Sequence, residues 1–376
     1  YTPLRSLGAR RFRPANGNDK RGIDAAAIAA IPSPRLVFVN GQFDAGLSAT
    51  ANLPAGVRLA ADAVHATEGA SAVARHDDAF ARLNAAFATH GATVAIDAGT
   101  QVKEPLHLVF VSTPTTIDLA IHARHAVTLG ENAHACLVEH HLAAAAHRHL
   151  LNHVMHVTLA SRAGLAHVRV QDEDAGAHLF ARTDARIDAE AAYRRVDLEL
   201  GAGLSRHDLH VVLAAPNARL HSGGVLASAQ RRHLDTRLDI VHAARDTTCD
   251  LVWRGAAAGR SRTVFHGGIL IEAGSDGAAA ALSNKNLLLS DQAEIDAQPV
   301  LEIHADEVTA SHGATVGRLD PAQLFYLRTR GIGEAQARSI LTAAFGREAL
   351  APLGASALVE PLAERLRERL AALDAE

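Results

Sequence analysis

Histidine is the residue whose number and spacing in this sequence most suggest chemistry. The chain has 23 histidines, and the densest group is His134, His140, His141, His147, His149, His153 and His156. Zinc sites need three or four converging ligands, and imidazole is a common one. No HExxH spacing occurs here, and no carboxylate accompanies these histidines at a spacing typical of a metal site. We therefore expect them to lie on solvent-facing sides of strands and a turn, with a metal site as the alternative.

Other catalytic and binding patterns are missing from the sequence. The GxSxG nucleophile elbow and the GxGxxG and GxxxxGK[ST] phosphate-binding loops do not occur. Cys136 lies in an apolar strand pattern and is expected to be a small buried residue, whereas Cys249 has a more polar setting. Nothing beside either cysteine predicts a lowered thiol pKa, so neither is expected to be a nucleophile.

Composition argues against several further classes of protein. Arg330-Gly-Ile-Gly333 resembles a helix-hairpin-helix motif, but the net charge of −4 offers no basic surplus for nucleic acid. No apolar run approaches the roughly 20 residues that span a bilayer. Two cysteines cannot form a disulfide framework and fit a reducing compartment. We expect a cytoplasmic globular protein that binds neither nucleic acid nor membrane.

The first part of the chain, residues 1–91, predicts a small mixed α/β region. Asn40-Gly41 between two short apolar runs indicates a β-hairpin, because both residues tolerate the positive φ angles of a tight turn. Asp77–His90 predicts a helix that Asp77 caps and Gly91 ends.

Residues 92–319 predict a long β body, in which turn clusters recur about every 12 to 17 residues. The β-rich runs are Leu106–Ser112, Ile117–His122, Ala126–Leu129, Ala135–Glu139, Met155–Leu159, Ala166–Gln171, Val196–Leu200, Leu209–Leu213, Leu234–Val241, Asp250–Trp253 and Thr263–Ile271. A sandwich or barrel could give this pattern, but roughly 200 residues of it without long loops are too many for a small sandwich. Stacked coils of a β-helix would bury a continuous core. Without a strict repeat, the periodicity alone leaves both architectures open.

Residues 320–376 predict three helices. The first begins at Asp320-Pro321 and stops at Gly331. The second, from about Glu334, places apolar residues on one stripe: Ala337, Ile340, Leu341, Ala344 and Phe345. The third, from about Ser356, does so with Leu358, Leu362, Leu366, Leu370 and Leu373.

Several long motifs in the second half of the chain are specific enough to carry a family resemblance. They are Trp253-Arg-Gly, Thr263-Val-Phe-His-Gly-Gly268, Ser283-Asn-Lys-Asn-Leu-Leu-Leu-Ser290, Ala293-Glu-Ile-Asp-Ala-Gln-Pro-Val-Leu-Glu-Ile-His-Ala-Asp306, Ser311-His-Gly-Ala-Thr-Val-Gly317 and Leu324-Phe-Tyr-Leu-Arg-Thr-Arg-Gly-Ile332. Together they resemble the shared core of the SufB/SufD family of the SUF iron–sulfur cluster assembly system. The short chain and Gly313, where SufB proteins have a Glu, favour the SufD branch. Tyr1-Thr-Pro-Leu-Arg-Ser-Leu7 resembles the segment that follows an N-terminal helical region in the family, so we expect such a region upstream.

The resemblance implies a mostly β fold, namely a right-handed parallel β-helix flanked by a small α/β N-terminal region and a helical C-terminal region. It also implies a scaffold without turnover of its own, which pairs with SufB through the β-helix and binds the SufC ATPase through the C-terminal helices. No cofactor is expected on the isolated chain, although a transient iron–sulfur cluster is expected at the SufB interface. Whether a flavin joins the assembled complex, and whether the isolated chain forms a homodimer, are left open.

The family motifs also imply site residues. His312, between Ser311 and Gly313, matches the histidine that lies near a SufB cysteine, and it would be a metal ligand shared with SufB. Many relatives have a Cys two residues before this histidine, where this chain has Ala310. The SufC contact maps to Phe325, Tyr326, Leu327, Arg328 and Arg330, although internal packing is the alternative for each side chain.

Two other functions compete with the scaffold hypothesis. One is a secreted β-helix enzyme that acts on polysaccharide, which the aromatic content of 4% disfavours because few rings could stack on sugars. The other is a histidine-rich metal-binding protein.

Overall fold

The computed structural model describes residues 2, 4–8, 10–15, 20–51, 53–61 and 79–373, and this part of the chain is mostly β. Its strands are β1 Arg13–Pro14, β2 Arg35–Val39, β3 Gln42–Phe43, β4 Val57–Ala61, β5 Ala92–Ile96, β6 Leu106–Ser112, β7 Leu119–Leu129, β8 His134–Ala143, β9 Leu150–Leu159, β10 Gly164–Asp172, β11 His178–Ile187, β12 Ala192–Glu199, β13 Leu204–Leu213, β14 Arg219–Ser228, β15 His233–His242, β16 Thr248–Ala257, β17 Arg262–Ile271, β18 Ala279–Leu288, β19 Glu294–Ile303 and β20 Thr309–Gly317. Its α-helices are α1 Arg5–Gly8, α2 Ala25–Ala30, α3 Ala79–Phe87, α4 Pro321–Thr329, α5 Glu334–Arg347 and α6 Val359–Leu373, and a 3-10 helix spans Glu348–Leu353.

The strands from β5 onward form a parallel β-solenoid. Odd-numbered strands belong to one sheet and even-numbered strands to the other, so each coil contributes one strand to each sheet. Every strand pairs in parallel with the strand one coil away, as β10 does with β8 and with β12. This architecture confirms the predicted mostly β, β-helical fold class over a sandwich or barrel.

The core lies between the two sheets, because alternate side chains of each strand point inward. Leu165, Tyr193 and Leu220 are consecutive partners in the even sheet, and all three are buried. Residues such as Val157 and Ile187 from the odd sheet belong to the same cluster. Stacking of the coils thus extends one apolar core along the whole solenoid.

The N-terminal region adds a hairpin and a helix to the first coils. β2 and β3 pair antiparallel around Asn40 and Gly41, whose φ angles of 46° and 80° confirm the predicted tight turn. A Cβ on Gly41 would lie 2.5 Å from Ile121 Cγ2, so this turn requires a glycine. The helix predicted over residues 77–90 is α3, and its proposed cap Asp77 lies outside the described residues.

The C-terminal helices pack on the outer face of the even-numbered sheet. Asp320 caps α4 by accepting a hydrogen bond from the Ala322 N–H, as predicted. Four leucines of α6 are buried against the outward residues of β8, β10 and β12, which confirms the predicted stripe: Leu362, Leu366, Leu370 and Leu373. Arg254 of β16 is nearly buried and donates to Glu348 at 2.6 Å, which ties the helical region to the solenoid. Among the described residues no helix is long and apolar enough to cross a membrane.

The apolar stripe predicted for α5 is partly wrong. Ala337 is buried, but Ile340 is 42% exposed and Ala344 is exposed as well. The buried face instead includes Gly346, where a Cβ would lie 2.8 Å from Leu370 Cδ1 of α6. Because α5 and α6 approach closely at this glycine, α5 turns the face that contains Gly346 toward the core and leaves part of its predicted apolar stripe exposed.

Candidate functional site

The last coil of the solenoid, β19 and β20, is an open surface that we call the terminal coil. Within the described residues β19 pairs only with β17, and β20 only with β18. Large apolar side chains on it are exposed: Val300 by 38%, Ile303 by 41% and Val316 by 46%. Unpaired backbone groups along a strand edge readily pair with another chain. The terminal coil therefore has the features of a protein-binding surface.

His312 lies in the middle of β20 and belongs to the inward-facing set of side chains. Its ladder partner is Leu282, a residue of the solenoid core. In contrast to Leu282, His312 is exposed, and it has no hydrogen bond or ion pair with any described residue. The imidazole is thus held on a regular strand and is free to bind a group supplied from outside.

The residues around His312 divide between the two faces of β20. Ala310, two residues away, shares its face and packs partly on the core. Ser311 and Gly313 are exposed and alternate to the opposite face. The structure therefore places Ala310, and not Ser311 or Gly313, beside His312.

Within the described ranges no group of three or more His, Cys, Asp or Glu side chains is arranged to hold a metal ion. A cluster bound at His312 would therefore need ligands from another molecule. Ala310 supplies no thiolate at the position where relatives were expected to have a cysteine.

Helix α4 presents a second exposed surface. Phe325 is 69% exposed and Tyr326 is 58% exposed, so neither ring is packed between the helices and the solenoid. Arg330 lies over the Tyr326 ring at 5.1 Å, and Arg328 pairs with Glu334 at 3.4 Å. Leu327 is half-buried. Exposed aromatic rings beside arginines are typical of binding hot spots.

The prediction that the dense histidine group faces solvent is wrong for most of its members. His141, His147, His149 and His153 are buried, with exposures of 1%, 5%, 1% and 6%. Only His134 is exposed, whereas His140 and His156 are half-buried. The buried rings make hydrogen bonds inside the solenoid: His147 Nε2 lies 2.9 Å from Glu173 Oε2, and His149 Nε2 donates to the Thr113 carbonyl.

Sequence reasoning missed a group of ionisable side chains inside the solenoid, which we call the interior charged cluster. Its members are Glu139, His167, Arg169, Tyr193, Arg195, Asp197, Glu199 and His207. All are buried, and they extend over β8, β10, β12 and β13. Charged residues at alternate positions in the middle of strands, as in Arg195-Val-Asp197-Leu-Glu199, are the signal that could have revealed them.

Hydrogen bonds connect the interior charged cluster from coil to coil. Arg195 donates to both carboxylate oxygens of Asp197 at 2.8 Å and to the Tyr193 hydroxyl at 2.9 Å. His167 joins this group to the next coil, because its Nδ1 lies 2.8 Å from the Tyr193 hydroxyl and its Nε2 lies 2.6 Å from Glu139. Across the core, Arg195 Nη2 lies 3.3 Å from His207 Nε2.

The pKa values in this cluster reflect competition between burial and pairing. Burial alone would raise the pKa of Asp197, but the charge and hydrogen bonds of Arg195 lower it below its ordinary value. Hydrogen bonds from His141 and His167 likewise overcome burial and lower the pKa of Glu139 well below its usual range. Burial lowers the pKa of His207, so its ring is neutral at pH 7. Asp197 and Glu139 therefore stay ionised although both are buried.

Both cysteines are less reactive than ordinary thiols. Burial raises the pKa of Cys136 to about 11 and that of Cys249 to about 12. The polar setting predicted for Cys249 is wrong, since the residue is 3% exposed and its thiol lies 3.3 Å from His242 Nε2 in the core. Neither thiol is a nucleophile at neutral pH, as predicted.

Comparison with known proteins identifies similar sequences over most of the chain. A family model described as "SUF system FeS cluster assembly, SufBD core domain" matches residues 111–345. The iron–sulfur cluster assembly protein SufD of Escherichia coli (strain K12) is 29% identical over 375 residues, which cover 98% of this chain and 87% of that protein.

Two further relatives show how far the similarity extends. An iron–sulfur cluster assembly SufBD family protein of Synechocystis sp. is 29% identical over 370 residues, covering 93% of this chain and 81% of that protein. One from Mycobacterium leprae (strain TN) is 32% identical over 201 residues, covering 51% of each protein. The match to the first two relatives spans the N-terminal region, the solenoid and the C-terminal helices.

Proposed function

Because this chain belongs to the SufB/SufD family of SUF iron–sulfur cluster assembly proteins, we propose that it is the SufD-type scaffold subunit of a SufB–SufC–SufD complex. It pairs with SufB through the terminal coil and with the SufC ATPase through α4. It carries out no turnover of its own and works in the cytoplasm, and the iron–sulfur cluster is cargo that forms at the SufB interface.

The observation that carries this proposal is the open end of the solenoid. From β5 and β6 to β17 and β18 every strand is paired on both sides, whereas the terminal coil exposes two strand edges together with Val300 and Val316. A SufB solenoid of the same architecture could continue both sheets across this edge, since parallel coils stack by backbone pairing. The same surface would allow the isolated chain to form a homodimer.

His312 is the group through which this chain would contact the nascent cluster. Its side chain is exposed at the terminal coil, and neutral imidazole is a suitable ligand for iron. Because Ala310 provides no thiolate, the remaining ligands would come from SufB. We therefore assign to His312 a single, shared coordination position rather than a complete site.

Replacement of His312 by Ala should leave the complex intact and reduce cluster formation. The chain would be co-expressed with SufB and SufC of its source, purified by size-exclusion chromatography and reconstituted anaerobically with iron and sulfide. Because an exposed side chain contributes little to folding, we expect normal assembly and at least a severalfold loss of cluster absorbance.

His221→Ala is the matched control, since His221 is an exposed histidine of β14 that lies three strands before β20 in the same sheet. It should reconstitute like the unmodified protein. Normal reconstitution of the His312→Ala complex would reject the site but keep the scaffold. Failure of the folded, unmodified chain to bind SufB or SufC would reject the scaffold function itself.

Replacement of Phe325 and Tyr326 by Ala should separate the two partners. We expect the double variant to lose SufC and to retain SufB, because these rings are exposed on α4 and are not part of the terminal coil. Phe87→Ala is a suitable control, since Phe87 is 58% exposed on α3. Pull-down of the purified subunits measures both interactions, and undiminished SufC binding by the double variant would remove α4 from the proposal.

No feature of the described residues favours either alternative function, the histidine-rich metal-binding protein or the polysaccharide-active enzyme. The histidines that suggested a metal-binding protein are largely buried in hydrogen bonds, as His147 is with Glu173. A polysaccharide-active enzyme would need converging carboxylates in a groove, whereas Glu139, Asp197 and Glu199 converge inside the closed core.

A further inference from the structure

A column of buried polar atoms without hydrogen-bond partners among the described residues runs along the inside of the solenoid. The atoms are Arg169 Nη2, His207 Nδ1, Ser222 Oγ, Thr236 Oγ1, Trp253 Nε1, Asn284 Nδ2 and Asn286 Oδ1, and none has a hydrogen-bond partner in the part of the chain that the structure describes. Each of these residues is at most 3% exposed. Native interiors rarely leave such groups unpaired, and those that remain usually bind water or an ion.

Strand register aligns several of these residues, which together we call the polar column. In the even sheet Gly224, Trp253 and Asn284 are consecutive ladder partners, and they continue the ladder of Arg169 and Asp197. In the odd sheet Thr236 is the partner of His207.

Two contacts across the core show that the ladders of the two sheets face each other. Arg195, the ladder partner of Ser222, meets His207 at 3.3 Å, and the rings of Trp253 and Phe265 lie 5.6 Å apart. Phe265 is the next ladder partner of Thr236. The polar column thus extends from the interior charged cluster at β10 to β18, one strand before the strand that carries His312.

The chemistry of the polar column selects its occupant. Its unpaired atoms include N–H donors, as on Trp253, a carbonyl acceptor on Asn286, and hydroxyls that can do either. An anion would leave the acceptor unpaired, and the interior charged cluster already has three carboxylates against two guanidinium groups. A cation would leave the donors unpaired. Water is the small molecule that both donates and accepts, with about three hydrogen bonds per buried molecule.

We propose that ordered water molecules occupy the polar column and connect the interior charged cluster with the terminal coil. They hydrate Arg169 and His207 at one end and reach Asn286 at the other. This inference does not depend on the proposed function, because it concerns the chain alone.

Trp253 provides a direct probe, since it is the one tryptophan of the chain and its indole N–H belongs to the polar column. In the 15N-labelled protein we expect cross-peaks between this N–H and water in nuclear and rotating-frame Overhauser spectra, with the sign of a long-lived bound molecule. The resonance is unambiguous because no second indole exists. Absence of any water cross-peak, with the indole resonance observed, would overturn the proposal.

Thr236→Val tests the column by the sign of its effect on Tm. If water bridges the Thr236 hydroxyl, removal of the hydroxyl removes a hydrogen bond and lowers Tm. If the site is dry, the same change removes an unpaired hydroxyl from an apolar interior and raises Tm. Valine keeps the shape of threonine, so the variant should fold.

Thr263→Val is the matched control, because the equally buried Thr263 hydroxyl is hydrogen-bonded to Ser228 at 2.8 Å. It should lower Tm by a few degrees and so calibrate the loss of one buried hydrogen bond. A Thr236→Val decrease of similar size supports the water file. An increase would contradict it.

Discussion

Between pH 6.5 and about pH 4 the free energy of unfolding should fall steeply, because several histidines are buried in their neutral form. Burial lowers the pKa from 6.5 to about 4 for four residues that are at most 4% exposed: His107, His125, His149 and His242. In the unfolded chain these rings bind protons below pH 6.5, whereas in the folded protein they stay neutral until about pH 4. The unfolded state therefore binds more protons in this window, and acid favours unfolding.

At two of these rings, hydrogen bonds to the neutral form add to the effect of burial. His125 Nδ1 accepts from the Ala92 N–H at 3.0 Å, and His149 Nδ1 accepts from the Leu119 N–H at 3.2 Å. A proton on either nitrogen would break the bond and bury a charge. Each such histidine adds about 1.4 kcal/mol per pH unit to the slope, so the four together add about 5.5 kcal/mol per pH unit. Because total stabilities are about 5–15 kcal/mol, a slope of this size removes most of the stability before pH 4 is reached.

Urea denaturation, monitored by far-UV circular dichroism at intervals of half a pH unit from pH 7.5 to pH 4.5, measures how the free energy of unfolding depends on pH. His221→Ala removes an exposed histidine and should leave the slope unchanged. A stability that stays constant between pH 6.5 and pH 5 would show that these rings are protonated in the folded state.

The fold was predictable where strands are apolar on their inner face. Leu106–Ser112 has the predicted bounds, and most other predicted runs are parts of longer strands, as Met155–Leu159 is of β9. β14 was missed because Gly223-Gly224 resembles a turn. In the structure Gly224 makes room for the Trp253 ring, since a Cβ there would lie 2.3 Å from Trp253 Cζ3. A glycine required by packing one coil away cannot be distinguished from a turn glycine in the sequence.

The terminal coil was missed for a different reason. β19 contains Pro299. Proline has no N–H to donate to a neighbouring strand, so it is tolerated chiefly in edge strands. Only the assembled sheet shows that β19 is an edge strand. His312 itself was found through a family motif, because a lone histidine in β20 has no pattern of its own.

The histidine group shows where local patterns fail. His141 and His153 were expected on the surface because polar residues usually face solvent. Their rings instead contact each other at 5.1 Å inside the solenoid, next to the carboxylate of Glu139. Polar side chains can occupy the core because each coil supplies hydrogen-bond partners to the next, and this pairing across about 30 residues is not visible locally.

The interior charged cluster should be the most sensitive part of the solenoid, and Arg195→Met should cost about 3–5 kcal/mol of unfolding free energy. Arg195 and Asp197 are both 0% exposed, so removal of the guanidinium leaves an unpaired carboxylate in the core. Arg245→Met is the control, since the pair of Arg245 with Asp246 is largely exposed and should change stability by less than about 1 kcal/mol. Urea denaturation at pH 7.5 compares the two variants.

The pH dependence of the Arg195→Met variant should identify Asp197 as the group left uncompensated. With Arg195 present, the pKa of Asp197 is lower in the folded protein than in the unfolded chain. Its pairing therefore stabilises the fold above the ordinary carboxyl pKa, and this contribution is lost as the pH falls through the pKa of the folded protein. Without Arg195, burial raises the pKa of Asp197, so the folded variant takes up a proton as pH falls. The difference in unfolding free energy between the variant and the unmodified protein should therefore shrink between pH 7.5 and pH 6.

Addition of the second change Asp197→Leu to Arg195→Met should recover part of the lost stability at pH 7.5, because two apolar side chains fill the core without a buried charge. No recovery in the double variant would mean that Arg195 stabilises the core mainly through Tyr193 and His207.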